Sequence, residues 1–189
     1  LLACIDARQG LRSLSAERLR MEMLKLLVAP GAADALAAMD DGGLLTGILA
    51  GVIYHGPFAK MAEAERAIGV DPDAVRRLGA LVVAVTEDAK RLSLRLRLSN
   101  SETKRLDSMG HRWWRLSDMS EDVARRRIYR LGADCYLDRI MLAWARAGRD
   151  SAAKRWRDLA TLPQRWTAPA FPLKAADFLS RGLKEGPAL

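Results

Sequence analysis

Apolar residues recur at helical spacing along almost all of this 189-residue sequence, and proline and glycine cut the recurrence into short runs. That alternation of run and breaker dictates a chain of many short helices. Ser15 to Val28, SAERLRMEMLKLLV, shows the pattern at its clearest. At about 100° per residue, Leu19, Met21, Met23, Leu24, Leu26, Leu27 and Val28 cover one wide apolar arc, with Arg18, Glu22 and Lys25 opposite. Glu17 and Arg20 break the rule: both fall inside the apolar arc, at i and i+3. A charge on a packed face is tolerable only when paired. The alternative is that Glu17 gains from the helix dipole while Arg20 reaches past the apolar surface to water. Ala, Leu and Arg dominate, and β-branched residues are sparse outside Leu81 to Thr86, so the expected fold class is all-α.

The breakers place the helices. Ser15 caps the first, and Pro30-Gly31 stops it. A second is expected over Ala32 to Met39 and a third from about Leu44 to Tyr54. His55-Gly56-Pro57 reads as a turn, with Pro57 at the first position of a helix carrying Phe58, Met61, Ala62, Glu65 and Ile68. Asp71 is the expected N-cap of the next, with Pro72 at its first position and Val75, Leu78, Leu81, Val82 and Val85 along it. Lys90 to Leu98, KRLSLRLRL, alternates like a strand, but it has no hairpin partner and is rich in helix formers, so a helix or irregular turn is expected. Ser99 and Glu102 have capping-box spacing. Asp118 to Gly132 is a helix capped by Ser120, with Val123, Ile128 and Leu131 inward and Arg125, Arg126, Arg127 and Arg130 outward. Cys135 to Ala147 and Ser151 to Ala160 follow, then a proline-rich linker or hinge near 162–173 and a short helix from Lys174 to Leu179.

The net charge of +8 comes entirely from the second half. Residues 1–90 carry 10 basic and 12 acidic groups, whereas residues 91–130 carry 11 and 5. A basic half suits a polyanion, with nucleic acid first, and an Arg-rich solvated surface explains the same count. Cys4 and Cys135 stand apart without metal spacing, as do His55 and His111, which fits reduced thiols in an intracellular, cytoplasmic protein with no metal site. The longest apolar stretch, Gly42 to Tyr54, falls short of the roughly 20 residues that span a bilayer, so no membrane partner is expected. No secretory signal opens the chain. It begins without Met and ends abruptly, as an excised piece of a longer protein would. P-loop, G-x-G-x-x-G, H-E-x-x-H and G-x-S-x-G motifs are all missing. Asp71 and Asp73 have the spacing of a two-metal pair but flank a proline at a helix start, where capping explains them.

Three stretches resemble the C-terminal half of the bacterial class II CCA-adding tRNA nucleotidyltransferases and the poly(A) polymerases related to them. Leu14-Ser15-Ala16-Glu17-Arg18-Leu19-Arg20-Met21-Glu22, continuing to Lys25-Leu26-Leu27, is similar to the family's neck motif, S-x-E-R-I-R-x-E-L-x-K-L-L. Leu94 to Asn100, followed by Glu102, resembles a segment of the body. Phe171 to Leu179, with Gly182-Leu183 and Glu185 to Leu189, looks like the tail motif, with Ala175 in place of the usual Gly.

The resemblance implies a neck over residues 1–30, a helical body over 31–161 and a partial tail over 162–189. The catalytic head, with its nucleotide motif and metal-binding aspartates, would lie outside these residues. No catalytic residue or cofactor is then expected here, and Mg, ATP and CTP would belong to the head. Glu17, Arg18, Arg20 and Glu22 carry the neck motif, and Glu17 and Arg20 would pair with each other or reach polar groups of that head. The body and tail would hold the acceptor and TΨC arm of tRNA through backbone contacts. Expected RNA-binding residues are Arg91, Arg95, Arg97, Lys104, Arg105, Arg112, Arg125, Arg126, Arg127 and Arg130. Trp113 and Trp114 are stacking or core candidates, and Lys174, Asp177, Gly182, Gly186 and Pro187 carry the tail motif, with Arg181 beside it. A poly(A) polymerase and a helical protein-interaction module remain the alternatives to a CCA-adding parent.

Overall fold

A computed structural model of the chain describes residues 2–148 and 153–170, and these are all-α, with no strand among them. The tail-motif residues Lys174, Asp177, Gly182, Gly186 and Pro187, with Arg181 and the helix expected over Lys174 to Leu179, lie outside the described residues. The elements are α1 (Leu2–Asp6), a 3₁₀ turn (Ala7–Ser13), α2 (Ala16–Val28), α3 (Ala32–Asp41), α4 (Leu44–Leu49), α5 (His55–Ile68) and α6 (Ala74–Val82). They continue with α7 (Thr86–Leu96), α8 (Asn100–Gly110), a 3₁₀ turn (Trp113–Arg115), α9 (Glu121–Leu131), α10 (Ala133–Arg146), α11 (Ala153–Ala160) and α12 (Leu162–Arg165).

Helix α6 is the centre. All residues from Val75 to Val82 are buried, among α2, α5, α8 and α10. Gly79 lets α8 come close, because a Cβ there would collide with the Met109 thioether. The backbone of Gly110 at the end of α8 lies against Val85 and Thr86, where an added Cβ would sit 2.6 Å from the Val85 carbonyl carbon. Leu106 and Met109 of α8 and Tyr136, Ile140 and Met141 of α10 complete the core around α6.

The capping expectations at Ser15 and Ser99 hold. The Ser15 hydroxyl accepts from the Arg18 N–H at 3.2 Å, and both halves of the Ser99–Glu102 box are formed. Lys90 to Leu98 is helical through Leu96: Leu92 and Leu96, four apart, are buried, while Leu94 is 83% exposed. Its alternation is a coincidence on a helix whose inward row runs at i, i+4.

Other boundaries differ from expectation. The third helix ends at Leu49, with Ala50 left-handed at φ 50°, and the Arg91 guanidinium passes where a side chain on Gly51 would be. Helix α5 starts at His55, so Pro57 lies inside its first turn, where a missing N–H is harmless. Asp73 rather than Asp71 caps α6, its carboxylate accepting from the Arg76 N–H at 2.8 Å. Val85 is not on α6 but at the start of α7. In α9, Ala124 and Ile128 are inward and Val123 is exposed; Ser120 holds the N-cap position without a side-chain bond. The segment expected as a linker from 162 begins as α12, with Leu162 buried and the helix packed on α9 and α11.

Candidate nucleic-acid interface

The charges that break the α2 pattern are satisfied within this chain. Arg20 donates to Glu102 Oε1 at 2.6 Å, and Arg97 donates to Glu17 Oε1 at 2.6 Å. They do not pair with each other; both reach the corner between α7 and α8. That corner turns on Arg97, which is left-handed at φ 49°. Its own backbone N–H and the Arg97 guanidinium hold the Glu17 carboxyl below the usual carboxylate range. Burial pushes Glu102 up, but Arg20 and Ser99 outweigh it and leave that carboxyl below its ordinary value. Solvent screens both pairs, the exposed Arg97–Glu17 pair most, whereas burying Leu19, Met23 and Leu27 contributes roughly 1.5–3 kcal/mol apiece. Packing therefore attaches α2, and the ion pairs fix where it lies. Arg18 and Glu22 are exposed, Glu22 with Lys25 at 3.3 Å.

A second set of charges is buried around α6. Glu65 accepts Arg77 Nε at 2.8 Å and Arg76 Nη1 at 3.3 Å, and Asp138 accepts Arg76 Nε at 2.9 Å and Arg105 Nε at 2.6 Å. Arg105 also meets Asp73 at 2.9 Å, and Arg77 Nη1 donates to the Leu27 carbonyl at 2.9 Å. Three carboxylates thus balance three guanidiniums, joining α2, α5, α6, α8 and α10. Glu65 carried a sequence signal: it sits at helical spacing with Phe58, Met61 and Ile68 on the apolar face, like Glu17 on α2. Asp138 gave no such warning.

The ten basic residues singled out from sequence divide in two. Arg91 pairs with Asp88 at 2.7 Å, Arg97 with Glu17, Arg105 with Asp73 and Asp138, and Arg125 with Glu121 at 2.6 Å. Arg95 donates to the carbonyls of Gly47 and Ile48, tying α7 to α4. Lys104, Arg112, Arg126, Arg127 and Arg130 make no ion pair with a carboxylate among the described residues.

Three of these five stand on α9 and border two cavities. One, about 410 Å³, lies between Tyr129, Trp166 and Pro169 with Arg125, Arg126 and Arg130 at its edges. The other, about 320 Å³, lies toward α10 and includes Arg139, which the sequence reading missed. The field there is positive: burial together with Arg139, Arg112 and Arg127 lowers the His111 pKa, against an opposing pull from Asp107. Trp113 is an anchor, its indole N–H bonded to the Ala84 carbonyl at 2.9 Å and its ring under the Arg146 guanidinium. Trp114 stands edge-on to it and is 52% exposed.

Residues 1–53 match one family model. Its description is "Probable RNA and SrmB-binding site of polymerase A". The match supports an RNA-binding region of the poly(A) polymerase and CCA-adding family over α1 to α4, and with it RNA as the class of partner. An uncharacterized 28 kDa protein in the petA 5′ region of Rhodospirillum rubrum is 39% identical over 82 residues, covering 40% of this chain and 32% of that protein. The match thus spans about a third of the relative's length. No described helix is long and apolar enough to cross a membrane. No group of three or more His, Cys, Asp or Glu among the described residues could hold a metal ion.

Proposed function

We propose that this chain docks tRNA for a nucleotidyltransferase that adds CMP and AMP to tRNA 3′ ends. Catalysis, with Mg, ATP and CTP, then belongs to a head domain outside these 189 residues, and this chain alone is inactive. The observation that carries the reading is the junction of two features. The segment similar to an RNA-binding region, residues 1–53, is pinned through Glu17, Arg20 and the Gly47 and Ile48 carbonyls to α7 and α8, in the basic half of the chain. Lys104, Arg112, Arg126, Arg127 and Arg130, free of carboxylates, are assigned to phosphate contacts. Arg91, Arg95, Arg97, Arg105 and Arg125 mainly hold the scaffold. The family model's wording favours a second reading, a poly(A) polymerase parent that accepts diverse RNA 3′ ends.

The test is binding of the chain to tRNA lacking its CCA end and to an unrelated hairpin of similar length, across a salt series. Preference for tRNA, with affinity falling about 0.9 log units per log of salt for each duplex phosphate neutralised, supports tRNA docking. Equal salt-sensitive binding to both moves the assignment to the poly(A) reading. Failure to bind either at moderate salt overturns RNA docking by this chain.

A further inference from the structure

The cavity between α9 and α10 differs from every other buried charge site in the described fold. Val123, Arg126, Arg127, Arg130 and Leu131 of α9 line it with Arg139 of α10, so four arginines border it with no carboxylate among the described lining residues. Elsewhere a buried arginine has a counter-charge or a ring: Arg76 and Arg77 lie on Glu65 and Asp138, and Arg146 sits 4.3 Å from the centre of the Tyr54 ring. Arg139 has neither. It is 6% exposed, one Nη donates to the His111 carbonyl, and its Nε has no partner. The Arg127 Nε is likewise shielded from water and unbonded; the Nε atoms of Arg20, Arg91, Arg125 and Arg146 are too, but the first three of those arginines have a carboxylate partner and the fourth a ring. Burial, with Arg127 nearby, brings the Arg139 pKa down to about 10.

A buried cation without a counter-charge is costly, and like charges around one cavity add to the cost. An anion with several acceptor oxygens removes both penalties. A carboxylate has two oxygens and satisfies one fork. A phosphodiester within a chain offers no more, whereas a phosphomonoester offers three free oxygens and matches several guanidinium forks at once. The apolar walls of Val123 and Leu131 leave room for the group esterified to it.

We propose that this cavity is a phosphate-binding site, in which Arg139 and Arg127 grip the terminal phosphate, a monoester, at the end of an RNA chain from beneath while Arg126 and Arg130 close on its outer oxygens. The site stands on the geometry, and only the source of the phosphate rests on the RNA-docking reading.

The probe is inorganic phosphate, titrated into the whole chain at constant ionic strength with chloride as the balancing ion. Binding is followed by calorimetry and by the shift in Tm. Expected are one phosphate per chain, a Tm that rises with phosphate but not with chloride, and affinity weakened about tenfold or more in Arg127→Gln and in Arg139→Gln. Without phosphate, Arg127→Gln should melt at or above the parental temperature, because it relieves repulsion; an arginine with only a structural role would lower it. Short RNA carrying a 5′-terminal phosphate should then compete with inorganic phosphate, and both variants should weaken its binding. If phosphate binds and both variants lose it while RNA does not compete, the site takes free phosphate and RNA as its source is overturned. If RNA binds parent and variants alike and phosphate leaves Tm unmoved, the phosphate site is overturned while RNA docking stands. If Arg139→Gln fails to fold, the partly exposed Arg127 decides the question alone.

Discussion

Replacing Asp138 by Asn keeps the side chain's shape and removes its charge. Asp138 is wholly buried and accepts three hydrogen bonds from two arginines, Arg76 Nε at 2.9 Å and Arg105 Nε and Nη2 at 2.6 and 2.9 Å. An amide still accepts through its oxygen, but its NH₂ must then face a guanidinium N–H, and two charges lose half their neutralisation. Breaking a buried pair from one side costs about 3–5 kcal/mol. The lower end applies here, because Arg76 keeps Glu65 and Arg105 keeps Asp73. A chain of this length loses roughly 2–4 °C in Tm per kcal/mol, so Asp138→Asn should melt about 6–12 °C below the parent. Calorimetry or far-UV circular dichroism measures it. Arg105→Met should be much less harmful in the Asp138→Asn background than alone, since the two share one interaction. A Tm drop under about 2 °C, or additive effects of the two substitutions, would refute the account of a network that holds only as a balanced whole.

Two further outcomes follow from the same packing. Gly110→Ala should destabilise the fold by more than about 2 kcal/mol and Gly79→Ala by less, in denaturant titrations, because a Cβ at Gly110 meets Val85 and Thr86 backbone while one at Gly79 meets the movable end of Met109. The carboxyls of Asp73, Asp88 and Glu102 are each pushed up by burial and pulled further down by backbone N–H groups and arginines, ending below their ordinary values. Their contribution to stability is therefore present above the unfolded carboxylate pKa, about 4, and is lost as pH falls through the lower folded values. A melting series should show Tm falling below about pH 4 and flat from there to neutrality with respect to these groups; a Tm unchanged down to pH 2 would contradict the assignment.

The fold class was legible because helical spacing and its breakers repeat along the chain, and the caps at Ser15 and Ser99 were legible because capping is local chemistry. The end of the third helix and the start of α6 were not. Gly51 is shaped by Arg91, forty residues on, and Asp73 was chosen over Asp71 by its bonds to Arg76, Arg105 and Glu65. The interface was legible only as a list of arginines. Arg91, Arg97, Arg105 and Arg125 look like Arg126 and Arg127 in sequence, and what separates them is whether folding brings a carboxylate to them. For Arg97 and Arg105 that partner arrives from far along the chain, from Glu17 and Asp138. Glu17 and Arg20 did signal that a charged partner was needed. The sequence did not say that the partner was Arg97 and Glu102 of the same chain.

Helix α6 touches both the helix that carries Glu17 and Arg20 and the helix that carries Arg139. Its two arginines are bonded in a single register on Glu65, Asp138 and the Leu27 carbonyl. Sliding α2 against α10 would break the Arg77 bond to the Leu27 carbonyl on one side of α6 or the Arg76–Asp138 pair on the other, so the spacing between the RNA-binding-like segment and the arginine cavity is set when the chain folds. A flexible polymer that touched both surfaces would have to match that spacing. On the proposed reading the molecule would work as a gauge, selecting ligands by the distance between two points of contact as well as by their charge.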